Sequence, residues 1–225
     1  MPDAHGLVTL DDVQGHPSVL AYLEMGDAYL GSLGYTEHGL RHASLTAHIA
    51  GNTLRRLGFS DREAELASIA GFMHDIGNCI SRDFHGVSAA LLAKDPLVEL
   101  GIEPRELAVV MNALGNHEEE HGTPATPVAA AAILADKADV HHTRVRCQDP
   151  AQFDIHDRVN YAAKRSFLRV DSETRLITLE IDIDTAVSQV MEYFEIFLSR
   201  MQISRKAADA LDATFSLVIN ETRLL

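Results

Sequence analysis

The chain has 225 residues, of which 46% are hydrophobic and 23% charged, and this composition excludes a disordered or collagen-like chain. Lys and Arg number 19 and Asp and Glu number 33, and the resulting net charge of −14 disfavours binding to a nucleic-acid polymer. No apolar run is long enough to cross a membrane, the N-terminus lacks a signal-peptide pattern and two cysteines cannot form a disulfide framework, so we expect a cytoplasmic protein with no membrane partner.

The first 160 residues have the apolar spacing of helices. Ser60 and Glu63 form a capping box that begins one helix, while Gly58 and Gly115 are typical of helix ends. The spacing predicts helices over residues 17–34, 37–57, 64–74, 84–93, 105–114 and 128–140.

After residue 160 the pattern changes to the alternation of strands. Residues 166–170 and 176–183 predict a hairpin with a turn at 171–174, residues 184–200 an amphipathic helix, and residues 214–220 a last strand. The predicted fold is therefore mainly α, with a helical domain over 1–160 and a small β-β-α-β extension over 161–225. An exposed strand edge in this extension would offer a route to a homo-oligomer.

Nine of the twelve histidines lie between His38 and His142, interleaved with aspartates. His74 and Asp75 follow a buried helix and precede a glycine, so both side chains can reach one metal ion. Asp136 lies on the apolar stripe of the alanine-rich helix. A buried carboxylate needs a cationic partner, either a metal ion or an Arg or Lys side chain.

The order His42, His74-Asp75, Asp136 is similar to the H…HD…D pattern of the HD superfamily of metal-dependent phosphohydrolases, over residues 37–146. The resemblance implies an HD-domain helical bundle with one metal ion on these four residues. Histidines also stand where binuclear members of the superfamily have them. The resemblance therefore implies a second ion on Asp75, His85 and His117.

The resemblance implies hydrolysis of a small phosphorylated compound, most simply a nucleotide, through attack of metal-activated water on phosphorus. Asp75, which can bridge two ions, is the implied catalytic residue. Imidazole and carboxylate ligands favour two divalent transition-metal ions, iron or manganese first, with nickel, cobalt or zinc as alternatives.

Further residues are candidates for binding substrate or supporting the metal ligands. Lys137 and Arg144 are cations that could bind phosphate, and Asn78 replaces a lysine that contacts phosphate in the HD-GYP branch, so cleavage of cyclic dinucleotides is disfavoured. His38 and Glu118 are either extra ligands or residues that support ligands. Asp139, His141 and His142 could also support them.

Three other interpretations compete with this one. Residues 117–121 match the H-E-x-x-H motif of zinc proteases, but nearby glycines and prolines leave little room for its helix. Some HD proteins hold two irons on the same ligand pattern and use oxygen. The chain could also be a regulatory module whose working part is the C-terminal extension.

Overall fold

The computed structural model describes residues 7–147 and 149–224. The helical part contains, in chain order, α1 (Leu10–Gln14), α2 (Pro17–Ser32), α3 (Leu40–Arg56), α4 (Asp61–Met73), a 3₁₀ turn (Ile76–Cys79), α5 (His85–Glu99), α6 (Pro104–Gly115), α7 (Pro127–Lys137), two 3₁₀ turns (His142–Arg144 and Pro150–Gln152) and α8 (Ile155–Ala162). The mainly α prediction is confirmed. Across the part of the chain just defined, no helix is long and apolar enough to span a membrane.

The C-terminal part contains β1 (Ala163–Asp171), β2 (Leu176–Ile183), α9 (Val190–Ala210), β3 (Thr214–Ile219) and β4 (Thr222–Arg223). The strands form one sheet in the order β1-β2-β3-β4. β1 and β2 are an antiparallel hairpin in which Phe167 faces Glu180. β2 and β3 are parallel, with Leu179 opposite Leu217, because α9 carries the chain back across the sheet.

Several boundaries differ from the sequence predictions. α9 begins at Val190 rather than 184 because Gln189 and Glu192 form its capping box, while Asp184 caps a preceding turn by accepting from the Ala186 amide. α5 continues beyond residue 93 through Pro96, and buried Leu97 anchors its last turn. α1, α8 and β4 are short elements that the periodicity did not indicate.

Close backbone contact between α3 and α4 sets the geometry at the centre of the helical part. A Cβ atom at Gly71 of α4 would lie 2.9 Å from the Thr46 carbonyl oxygen of α3. Only glycine permits this separation without displacing a helix. The contact brings the first turn of α3 and the C-terminal end of α4 to the same region.

The hydrophobic core is continuous between the helical and C-terminal parts. Buried residues of α7 such as Ile133 and of α9 such as Phe197 belong to one cluster, which also includes Leu217 of β3. α9 packs directly on α7. The division of the chain near residue 160 remains a prediction, and the core crosses that position.

Candidate metal centre

Six buried side chains meet where the ends of several helices converge. The most exposed of them is Asp136, at 7%. They come from the start of α3, the two residues after α4, the start of α5, the segment after α6 and the end of α7. In chain order they are His42, His74, Asp75, His85, His117 and Asp136. These are the six residues for which the sequence predicted metal binding.

The Nδ1 atom of each of the four histidines faces an oxygen that can only accept a hydrogen bond. A carbonyl or carboxylate has no proton to give, so each Nδ1 must be the donor and each neutral ring then has an unprotonated Nε2. The acceptors are Asp139 Oδ2 for His42 (2.7 Å), the Gly71 carbonyl for His74 (2.8 Å), the Arg82 carbonyl for His85 (3.0 Å) and the Leu114 carbonyl for His117 (2.7 Å).

The four Nε2 atoms point at one another in pairs. His42 and His74 are 3.1 Å apart at Nε2, and His85 and His117 are 2.9 Å apart. Burial lowers the pKa of His85, and lowers that of His117 well below its ordinary value. Burial also opposes the protonation of His74, but Asp75 and Asp136 raise its pKa. Two facing Nε2 atoms repel unless a cation lies between them, which in the first pair can be a proton and in either pair a metal ion. The donor set therefore fits a metal ion, for which neutral imidazole is a common ligand.

Asp75 lies between the two histidine pairs. Its Oδ1 accepts from Asn78 Nδ2 at 2.7 Å and is 3.4 Å from His85 Nε2. Its Oδ2 is 3.2 Å from His74 Nε2 and, although buried, has no hydrogen-bond partner. Burial would raise the pKa of Asp75, but the imidazoles, His74 first, hold it well below the usual range. The two oxygens of this anion therefore face different candidate ion positions.

The two carboxylate oxygens of Asp136 face different groups, one a lysine and the other the histidines. Oδ2 accepts from Lys137 Nζ at 2.6 Å, while Oδ1 is 3.4 Å from His42 Nε2 and 3.7 Å from His74 Nε2. Burial opposes its ionisation, but Lys137 and then His74 keep the pKa of Asp136 well below the usual range. Both partners considered from the sequence, a lysine and a metal ion, are thus compatible with this residue.

Two groups of three ligand atoms, each within 4.8 Å of one another, can be drawn in this cluster. One is His42, His74 and Asp136, and the other is His74, Asp75 and His117. His74 belongs to both groups, whereas the sequence assigned it to the first ion only. His85 belongs to neither, although its Nε2 lies next to His117 and Asp75. The assignment of ligands to individual ions stays a prediction.

The two residues predicted as extra ligands or supports lie beside the cluster. Glu118 accepts from the Gly86 amide at 2.7 Å and its other oxygen is 3.5 Å from His85 Nδ1, so it holds the start of α5 in place. The His38 ring is 5.7 Å from that of His42, and its Nδ1 donates to the Thr36 carbonyl. Burial lowers the pKa of His38 well below its ordinary value.

The three predicted substrate-binding residues differ in how they are placed relative to the protein surface. Asn78 is buried and bonded to Asp75. Arg144 is buried, and its guanidinium donates to the carbonyls of Glu37 and Asp139. Lys137 lines a cleft of about 380 Å³ that opens above His85. Of the three, Lys137 is therefore the one that faces this cleft.

Two arginines in the clefts above the cluster were not identified from the sequence. Arg82 lines this cleft and an adjoining one of about 410 Å³, and its Nη1 is 3.4 Å from His85 Nε2. Arg200 of α9 lines the second cleft and binds Glu119 at 2.9 Å. Arg82 follows the His-Asp motif closely enough to be suspected, but no sequence signal connects Arg200 to residues so far away.

Comparison with known proteins agrees with this geometry. Residues 36–144 match the family model of the HD domain. The chain carries an HD domain. The superfamily assignment made from the motif is thereby confirmed. The buried His and Asp groups are consistent with metal binding by this domain.

The relatives of this HD domain include long and short proteins. Ribonuclease Y of Bacillus pumilus is 33% identical over 105 residues, which cover 47% of this chain but 18% of that protein. Ribonuclease Y of Aquifex aeolicus is 36% identical over 96 residues, covering 41% and 16%. Protein MJ1020 of Methanocaldococcus jannaschii is 24% identical over 209 residues, covering 81% and 79%. The chain thus spans less than a fifth of the ribonucleases it matches.

Asp139 provides a test of how the HD domain orients its ligands. It accepts from His42 Nδ1 and from Arg41 Nη2 at 2.9 Å, and these contacts keep its pKa far below the usual range although burial opposes ionisation. We expect Asp139→Asn to weaken metal affinity by about 10–100-fold, since partners of ligating histidines have effects of this size. Competition with a chromophoric chelator measures the affinity. Asp209→Asn, at an exposed position of α9, is the matched control, and equal affinities would contradict the role assigned to Asp139.

Proposed function

We propose that the protein is a phosphohydrolase that uses two divalent transition-metal ions to cleave a small phosphorylated compound, most simply a nucleotide. The observation that carries the proposal is the pairing of imidazole Nε2 atoms on either side of the ionised Asp75. One ion would be held by His42, His74, Asp75 and Asp136, and the other by Asp75, His85 and His117.

When bound, such ions generate a nucleophile from water at neutral pH and polarise phosphoryl oxygens. The protein contributes fixed ligand geometry, because each ring is oriented through its Nδ1 bond. Asn78 holds one oxygen of Asp75 by its amide. Arg82 and Lys137 bring positive charge to the cleft, where they would bind the phosphoryl group. Iron and manganese suit this mixture of imidazole and carboxylate ligands.

Cleft size and overall charge favour a small substrate over a polymer. The cleft volume of about 380 Å³ lies in the range typical of small-molecule sites, roughly 300–1,000 Å³. The net charge of −14 opposes the approach of a polyanion. Relatives named as ribonucleases make RNA the natural competing substrate, and a short RNA therefore belongs in the test.

The number of metal ions per chain tests the binuclear part of the proposal. In protein purified without chelators we expect two transition-metal ions per chain, measured by inductively coupled plasma mass spectrometry. His85→Ala and His117→Ala should each lower the value towards one. His48→Ala, at an exposed position of α3, is the control and should keep both ions. A single ion per chain that added manganese or iron does not increase would contradict the second site.

Activity against a panel of substrates tests the reaction. The panel contains nucleoside mono-, di- and triphosphates, ribose 5-phosphate, pyrophosphate and a short RNA. We expect release of phosphate or pyrophosphate from at least one small compound, loss of this activity with a chelator, and recovery with manganese or iron. Cleavage of RNA alone would overturn the small-substrate proposal, and inactivity of the metal-loaded protein on every compound would overturn the hydrolase proposal.

A further inference from the structure

An exposed aromatic residue stands at the opening of the cleft in an unusual backbone conformation. Phe84, immediately before α5, is 58% exposed and has a φ angle of +56°. The left-handed region is disfavoured for residues with a Cβ, and a bulky side chain there is a genuine outlier. Such strain is concentrated at functional sites in proteins, so this position calls for a functional explanation.

The Phe84 ring is stacked on the ring of His121. Their centroids are 5.1 Å apart and their planes differ by 14°. The two residues come from different segments, one before α5 and the other after α6, and both line the cleft together with His85 and Lys137. His121 is itself largely exposed, with 55% of its side chain accessible. The opening of the cleft thus carries a stacked and largely exposed aromatic pair next to the candidate metal ligands.

We propose that Phe84 and His121 form a stacking platform that binds the nucleobase of a nucleotide substrate while its phosphate lies toward His85 and Lys137. This inference rests on the proposed phosphohydrolase function and specifies its substrate class. Aromatic side chains bind bases of any identity by stacking, because every base has a π face. The platform therefore selects nucleotides over phosphate esters that lack an aromatic ring, without selecting one base.

A competing explanation comes from the surface of α5. Val87 and Leu91 are 50% and 66% exposed and lie on one face of α5, which begins directly after Phe84, so this apolar stripe could contact another protein. Leu91 and Val87 do not line the cleft, whereas Phe84 and His121 do. A protein-binding role of this stripe would not explain why His121 stacks on Phe84. It also predicts that replacing Phe84 leaves nucleotide binding unchanged.

A fluorescent variant tests the platform directly. The chain contains no tryptophan, so Phe84→Trp gives a signal from this one position. We expect AMP and adenosine to quench its emission in a saturable manner and ribose 5-phosphate to leave it unchanged. Leu91→Trp, on the same exposed stripe, is the control and should not respond to any of the three. Lack of quenching by AMP, or an equal response in the control, would overturn the proposal.

Kinetics of the alanine variants provide the second test. We expect Phe84→Ala and His121→Ala each to raise KM for nucleotides about tenfold, within the range found for loss of one base stack, with hydrolysis of ribose 5-phosphate unaffected. Equal losses on both substrates, or an altered molar mass with unchanged KM, would overturn the platform. If the wild type hydrolyses none of the compounds, the hydrolase proposal fails, and quenching by adenosine and AMP still decides whether the platform exists.

Discussion

Asp75→Asn is expected to remove metal-dependent activity and, at the same time, to destabilise the metal-free protein. Loss of the negative charge shared by both candidate ion positions should lower activity by at least about a hundredfold, since residues that only support ligands already have effects of about 10–100-fold. In the absence of metal, Asp75 Oδ2 lies 3.2 Å from His74 Nε2, and the carboxylate raises the pKa of His74 although burial opposes this, so the two side chains attract each other. Asparagine removes this attraction inside the cluster, so the melting temperature should fall by about 2–4 °C.

Activity, metal content and calorimetry with and without chelator measure these two effects. Asp95→Asn, on the exposed side of α5, makes the same chemical change away from the cluster and should alter none of the three. Retention of full activity by Asp75→Asn would refute the metal-dependent mechanism. An equal or higher melting temperature in the chelated variant would instead show that Asp75 and His74 do not attract each other in the metal-free state.

Gly77→Ala is expected to misplace His85 without replacing any predicted ligand. A Cβ atom at position 77 would lie 1.9 Å from the carbonyl oxygen of His85 and 2.6 Å from the amide nitrogen of Ala89. Both atoms belong to the backbone of α5, so the helix must move away from the turn that follows Asp75. We expect a loss of about 1–3 kcal/mol in the free energy of unfolding. Activity should fall about a hundredfold, as for a displacement of about 1 Å at a reacting group.

Urea denaturation and the metal content of the folded variant separate the two effects. Gly115→Ala, also close to the cluster, is the matched control: its nearest neighbour would be the Cβ of Ala90 at 3.9 Å. It should keep activity and gain up to about 1 kcal/mol, because alanine is the better helix former. If Gly77→Ala retained wild-type activity and both ions, the position of α5 would not determine the site.

Much of the cluster could be predicted from the sequence because its members occur at helix ends. His74-Asp75 stands between a buried helix and a glycine, a pattern visible without a structure. The apolar stripe around Asp136 likewise required burial of that carboxylate. The structure places these residues together with His85, for which only the family resemblance argued. Which nitrogen of each ring is free could not be predicted, since it depends on carbonyls brought close by the turns.

The parts that escaped prediction depend on tertiary contacts. Arg144 has the sequence character of a surface cation, yet the Glu37 carbonyl on a distant segment buries and binds it. Phe84 is a common core residue type, and only its backbone angle and exposure draw attention to it. The sequence predicted too early a start for the helix over 190–210, because the amphipathic spacing continues into the capped turn that precedes this helix.

The ion pair between Arg200 and Glu119 has a consequence for how such proteins are compared. Glu119 also binds Lys137, whose ammonium group contacts Asp136, so a chain of three contacts joins a side chain of the last long helix to a predicted metal ligand. Exchanging C-terminal segments between relatives would therefore alter the charge at the cleft unless a cation were retained at this position. A classification based on residues 36–144 alone would group proteins with different electrostatics at the same ligand pattern.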